Sequence, residues 1–238
     1  MNQFPRYAIY YAPAPGSDLD LFGAHLLGHD VHSGEDLPFP EGLEQAVPDW
    51  RQLTQDPRKY GFHATLKAPF SLAHHQTEAA VLEACESFAG TSRPIPVVRP
   101  VVDEIGGFIA VVPEEPSAAL QRLAADCTRE FDCFRAPLTA EDRARRNPSK
   151  LTTRQRDHLD RWGYPYVMED FRFHMTLTGR LPADRQTTIL PLLQKRFAEI
   201  HLRALSVDRI ALLRQGSAES RFQIVRQYAL KGSAERSA

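Results

Sequence analysis

The sequence predicts an α+β fold built from two related halves, and three observations carry that expectation. The segment His63-Ala64-Thr65-Leu66 recurs as His174-Met175-Thr176-Leu177. Each copy is followed, in the same order, by a turn, a stretch with helical periodicity and two strand-like runs, and a recurring unit of this kind signals repeated architecture. Within each copy polar and apolar residues alternate, which is the period of a strand with one buried face.

The elements follow in chain order. Residues 6–12 (RYAIYYA) read as an aromatic-rich strand that Pro13-Ala14-Pro15-Gly16 terminates. Ser17 or Asp18 is placed to cap a short helix reaching Leu27, and residues 28–60, with four prolines, read as loop. Residues 62–70 are a strand, and 77–89 a helix with Ala80, Val81, Ala84 and Phe88 on one face. Residues 94–104 and 107–113 are strands joined at Gly106-Gly107, and 117–131 is helical. The second unit brings a strand at 171–180, a helix at 184–200 and strands at 205–215 and 221–230. One bilobal domain over 1–238 is expected, with halves built around 62–113 and 171–230 and a small polar tail, 231–238, read as disordered.

Residues 138–166 stand outside the repeat. From Leu138 to Arg161 they carry seven Lys or Arg against four Asp or Glu, in two short helices broken near Asn147-Pro148, and they end in Trp162-Gly163-Tyr164-Pro165-Tyr166. This segment reads either as a solvated insertion or as a lid over a phosphate site.

Composition narrows the function classes. The chain has 238 residues with a formal net charge of −1, which argues against whole-protein affinity for nucleic acid but leaves room for a local basic cleft. No apolar run reaches the length of a membrane span, and the first residues lack the basic-then-apolar order of a signal peptide. Three cysteines without a Cys-x-x-Cys pair predict neither a disulfide framework nor a zinc knuckle, so a cytoplasmic protein is expected. A phosphate-binding P-loop, a dinucleotide glycine motif and a Gly-x-Ser-x-Gly elbow are absent from the sequence, and no cofactor is expected.

Strict alternation puts His63, Thr65 and Lys67 on one face of the first strand and Ala64, Leu66 and Ala68 on the other. In the second copy Arg172, His174, Thr176 and Thr178 oppose Phe171, Phe173, Met175 and Leu177. If the halves meet about a pseudo-twofold axis, the polar faces line one cleft. Tyr10 joins that side if Ile9 packs inward. A lone strand histidine is usually structural; two copies, each backed by an apolar face, point to a site.

The paired His-x-Thr-apolar motifs resemble the two-histidine (2H) phosphoesterase superfamily, which includes the RNA 2′,3′-cyclic phosphodiesterases. RYAIYYAP at 6–13, DPRKYGFHATLKAPF at 56–70, FDCFRAPL at 131–138, RWGYPYV at 161–167 and FRFHMTLT at 171–178 are similar to a branch associated with phosphonate (carbon–phosphorus lyase) operons. The resemblance implies a bilobal fold with two concave antiparallel sheets facing each other and helices on the outer faces. It also implies hydrolysis of a small cyclic phosphodiester, such as a ribose cyclic phosphate.

The residue types fit that chemistry. One imidazole takes a proton from attacking water while the other gives one to the departing alkoxide, with the roles of His63 and His174 interchangeable from sequence. Thr65 and Thr176 can donate to non-bridging phosphate oxygens, and Lys67 or Arg172 can stabilise the charge that builds there. Opening a strained five-membered ring needs no metal. Arg135, Arg143 and Arg172 are candidates for a second phosphate. Three rival readings remain: a metal site drawn from His25, His29, His32, His74 and His75; RNA-end processing along residues 143–166; and a phosphate-binding regulator without activity.

Overall fold

The computed structural model describes residues 4–233. In chain order its strands are β1 (Arg6–Tyr11), β2 (Ala64–Ser71), β3 (Val97–Val98), β4 (Pro100–Ile105), β5 (Phe108–Pro113), β6 (Met175–Thr176), β7 (Leu205–Ser206), β8 (Arg209–Gln215) and β9 (Gln223–Ala229). The α-helices are α1 (Asp18–Leu27), the one-turn α2 (Leu43–Ala46), α3 (Trp50–Leu53) and α4 (Gln55–Arg58), then α5 (Glu78–Gly90), α6 (Ala118–Glu130), α7 (Ala140–Arg145), α8 (Thr153–Trp162) and α9 (Ala183–Ala198).

The helices begin where their caps sit. Ser17, Thr77, Ser117, Thr139 and Thr152 each accept from a backbone N–H of the first turn, and Thr152 with Gln155 completes a capping box. Each such cap is worth about 1 kcal/mol. The insertion takes the expected form of two short helices, broken where Asn147 adopts a φ of 48° before Pro148.

Seven strands form one antiparallel sheet in the order β4-β5-β6-β2-β1-β8-β9, and β3 pairs separately with β7. Helices cover one face: α5 lies on β8 and β9, α6 on β2, and α9 on β4 and β5. Ile9, Leu66, Val111 and Ile210 point into that core, alongside Cys85, Leu123 and Leu193. On the opposite face Ala8, Tyr10, Ala211 and Leu213 pack beneath Val31 and Phe222.

The two antiparallel halves meet at β2 and β6, where Ala64 stands opposite Met175. Each half draws on both sequence units. The hairpin β4–β5, which follows the first His-x-Thr segment, pairs with β6, which carries the second. The hairpin β8–β9, which follows the second, pairs with β1 beside the first.

Two expectations are corrected. The strand expected at 171–180 shortens to Met175–Thr176, because Leu177 N (2.9 Å) and Thr178 N (3.3 Å) both reach the carbonyl of Ile109 and the ladder stops there. The start of the tail is not loose: Lys231 N donates to Ala89 O and Ser233 N to Arg93 O, both at 2.8 Å. Residues 234–238 lie outside the described residues. Among the described residues no helix is long and apolar enough to cross a membrane.

Candidate active site

The pairing of Ala64 with Met175 centres the site. Both side chains are fully buried in the helix-side core. The same antiparallel register carries His63 across from Thr176 and Thr65 across from His174, on the other face. Directly opposed residues have Cβ atoms about 4.5–5.5 Å apart, so two strands bring two imidazoles and two hydroxyls into one patch. All four side chains are partly exposed.

The two histidines are held alike. His63 Nδ1 lies 2.8 Å from Gly61 O, and His174 Nδ1 lies 2.7 Å from Arg172 O. A carbonyl only accepts, so each Nδ1 carries the hydrogen and each neutral Nε2 keeps its lone pair. In both cases the acceptor is two residues upstream, so the repeat extends to the tautomer. Thr65 Oγ1 is 3.3 Å from His63 Nε2 and donates to it. Gly61 is needed for this geometry: its φ is +73°, and a Cβ there would fall 2.5 Å from Val31 Cβ.

Aromatic rings set the imidazole planes. Tyr10 stacks on His63 with centroids 3.8 Å apart and planes 17° apart, and Tyr60 stands 6.2 Å from the same imidazole. Phe108 packs on His174 at 5.5 Å. Ile9 faces the helix-side core, so Tyr10 is on the histidine side, buried as a support rather than open to the cleft. Burial pushes the Tyr10 phenol well up, with Tyr60 and Tyr164 adding to the effect, so it stays protonated.

Burial likewise pushes both imidazoles below their ordinary range. His63 falls to about 4, against the pull of the Gly61 carbonyl and with added repulsion from His174. His174 is lowered by burial, against the pull of the Arg172 carbonyl. Both are neutral at neutral pH until an anion enters and favours the imidazolium.

Other residues singled out from sequence lie elsewhere. Lys67 leaves the polar face: from Tyr10 to Ile9 strand β1 advances one residue while β2 advances two, from Thr65 to Lys67. This bulge breaks strict alternation. Lys67 is buried under α6, with Nζ 2.5 Å from Asp132 Oδ1 and 3.3 Å from Thr128 O. Burial lowers its pKa, and Asp132 offsets part of that. Thr178 is also buried, its hydroxyl accepting from Ile109 N at 3.0 Å. The Arg172 side chain is exposed, and the residue serves the site through its carbonyl. Arg143 forms a two-pronged pair with Asp160 at 2.7 and 3.0 Å. Arg135 is gripped by Asp132. His25 and His29 bind the carbonyls of Pro38 and Glu35 through Nδ1.

Gly61, Tyr60 and Phe108 lie outside the two His-x-Thr segments, so the alternation that marks the site does not reach them. The strand-entry glycine two residues before His63 was the available signal. Tyr164 from the aromatic loop reaches the field of Tyr10 and lies under Arg146, with the guanidinium 5.0 Å from the ring centroid.

A family model described as a protein of unknown function (DUF1045) matches residues 65–223, about two thirds of the chain. The chain belongs to the DUF1045 family. This DUF1045 chain is 36% identical over 220 residues to the ribose 1,5-bisphosphate phosphokinase PhnN of Janthinobacterium sp. (strain Marseille), covering 88% of this chain and 47% of that protein. It is 32% identical over 176 residues to PhnN of Laribacter hongkongensis (strain HLHK9), covering 74% of this chain and 40% of that one. The chain therefore spans under half the length of the curated relatives it matches. Among solved structures it is similar to E. coli LigT complexed with NADP+, at 13% identity and a TM-score of 0.42, covering 95% of this chain and 98% of LigT. The complex of LigT with 3′-AMP gives 12% identity and the same TM-score over 96% and 99% of the two chains.

Proposed function

We propose that this protein is a metal-independent phosphodiesterase of the two-histidine type that hydrolyses a small cyclic phosphodiester. The carrying observation is the matched pair of imidazoles, each with Nδ1–H bound to a carbonyl two residues upstream and Nε2 left for chemistry at the β2–β6 joint. Histidines on either side of a symmetric centre suit an in-line displacement at a phosphorus held between them.

Burial lowers both imidazoles, and it takes His63 the further, to about 4, while the repulsion between the two is mutual. On that ordering the first proton goes to His174. His63 Nε2 takes a proton from water as the water oxygen bonds to phosphorus. The bond from phosphorus to the leaving alkoxide breaks, and His174 Nε2–H protonates that oxygen. Because the diester is cyclic, one product carries both the phosphate monoester and the freed hydroxyl, and solvent exchange resets the two imidazoles. Substrate turns the Thr65 hydroxyl from His63 Nε2 to a non-bridging oxygen, which frees that nitrogen for the water, and the Thr176 hydroxyl donates to the other.

The relatives' name supports a phosphorylated ribose as the substrate class, within phosphonate metabolism. It does not support kinase chemistry here, because the P-loop signature is missing from this sequence. The free thiols of Cys85, Cys127 and Cys133 suit the cytoplasm. A 2′,3′-cyclic nucleotide or RNA end is the second reading, favoured by Tyr60 and the exposed Tyr166, on which a base can stack.

Turnover of ribose cyclic phosphates and 2′,3′-cyclic nucleotides, with and without EDTA, tests the proposal. His63→Ala and His174→Ala are each expected to lose about 10²–10⁴-fold in kcat while keeping the wild-type fold by circular dichroism. Full activity in either variant sinks the reading, and loss of wild-type activity in EDTA points to a metal.

A further inference from the structure

A cavity of about 530 Å³ opens between the end of β2 and the segment that runs from Arg135 into α7. Arg6, Arg135, Arg145 and Arg146 line it, and Asp142 is the one carboxylate in its wall. Four guanidiniums against one carboxylate make an unusually positive chamber in a chain whose formal net charge is −1.

The cations differ in how they are held. Arg145 pairs with Asp142. Arg135 is fixed from behind: Nε donates to Asp132 Oδ1 at 2.9 Å, Nη2 to Arg161 O at 3.1 Å and Nη1 to Ala136 O at 3.3 Å. Asp132 is itself held by the buried Lys67. Burial alone would raise the Asp132 carboxyl, but its bonds to Arg135 and Lys67 outweigh that and hold it low. Gly163 completes the cradle, since a Cβ there would fall 2.9 Å from Arg135 Cδ.

Arg6 and Arg146 have no acidic partner among the described residues. Arg6 donates to Gln215 Oε1 and lies 5.5 Å over the Phe222 ring, and Arg146 lies over Tyr164. Two guanidiniums that face a cavity and have no carboxylate paired to them are suited to an anion.

Tyr60 connects the cavity to the chemistry. It lines the chamber, stacks on Phe222 with centroids 5.3 Å apart and stands 6.2 Å from the His63 ring. The chamber is thus one aromatic ring away from His63. Its volume falls within the roughly 300–1,000 Å³ of small-molecule sites, with room for a sugar phosphate rather than a bare ion.

We propose that this chamber is a second anion subsite, which takes a phosphate monoester borne by the substrate at a position remote from the cyclic diester. The inference rests on the phosphodiesterase reading for the substrate's other end. It makes the preferred substrate a doubly phosphorylated sugar or nucleoside, and it gives the insertion at 138–166 a role as one wall of the site.

Two measurements test it. The first compares kcat/KM for adenosine 2′,3′-cyclic phosphate with and without a 5′-phosphate. The 5′-phosphorylated diester is expected to be better by at least about tenfold, equivalent to about 1.4 kcal/mol. That ratio should shrink about tenfold in Arg146→Ala, whose side chain is exposed and safe for folding, and in Arg135→Gln. The second is calorimetric binding of ribose 5-phosphate against ribose, which needs no turnover. Tight binding of ribose 5-phosphate that weakens about tenfold in Arg146→Ala supports the subsite even if neither diester is hydrolysed, in which case the phosphodiesterase reading is what fails. Equal kcat/KM for the two diesters, or binding of ribose 5-phosphate no tighter than ribose, overturns the subsite.

Discussion

Ala64 stands opposite Met175, and this pair sets the two His-x-Thr segments in antiparallel register. Met175 is fully buried and belongs to the helix-side core, so its packing holds the joint closed from beneath. Met175→Ala should cost about 2–5 kcal/mol in chemical denaturation, as core truncations do. It should also lower kcat/KM at temperatures where the variant is fully folded, because misplacing reacting groups by about 1 Å can cost about 10²-fold. A folded variant with wild-type kcat/KM would show that the joint is not what aligns the histidines.

Gly61 orients His63 through its carbonyl, 2.8 Å from Nδ1. Its left-handed φ of +73° and the nearness of Val31 leave no space for a methyl group. Gly61→Ala is therefore expected to destabilise the fold by about 1–3 kcal/mol and to lower kcat more than it raises KM, since the imidazole rather than the binding surface is displaced. Steady-state kinetics separate the two effects, and a pure KM change would contradict the role of the carbonyl.

Much of the architecture was legible because it is local. Ser17, Thr77 and Ser117 mark helix starts that the structure places one residue later. The His-x-Thr repeat locates β2 and β6, which His63 and His174 immediately precede. What stayed hidden depends on partners distant in sequence. Period-2 alternation through Thr65 places Lys67 on the site face, and a bulge against β1 breaks that alternation. The partner of Lys67, Asp132, is 65 residues away, a contact with no local signature. The repeat also suggested that each unit builds its own half, whereas β5 pairs with β6 and β8 with β1 across the units. That exchange is invisible to periodicity, since both pairings satisfy the same alternating pattern.

Lys67 separates stability from chemistry. It sits beneath α6 and shares Asp132 with Arg135, so Lys67→Met keeps the volume while leaving Asp132 one charged partner. The expected loss is about 1–3 kcal/mol in unfolding free energy, below the roughly 3–5 kcal/mol of a fully orphaned buried charge. The effect on kcat for a diester without a second phosphate should be far smaller than that of His63→Ala. A kcat loss matching His63→Ala would return Lys67 to the catalytic face.

The pH profile tests the assignment of base and acid. The productive free enzyme carries one proton, on His174, and none on His63. As pH falls through about 4, His63 gains a proton and can no longer take one from water. As pH rises through the pKa of His174, which burial holds below the ordinary 6.5, the general acid is lost. The profile of kcat/KM, which reports the free enzyme, should therefore be a bell with its maximum on the acid side of 6.5. The bound phosphodiester is an anion and favours the imidazolium, so the alkaline limb of kcat should lie at higher pH than that of kcat/KM. In His174→Ala the residual activity should lose its alkaline limb, and in His63→Ala its acidic limb. The reverse pattern would exchange the two roles, and a kcat/KM that rises steadily from pH 5 to about 8 would remove the imidazolium acid from the mechanism.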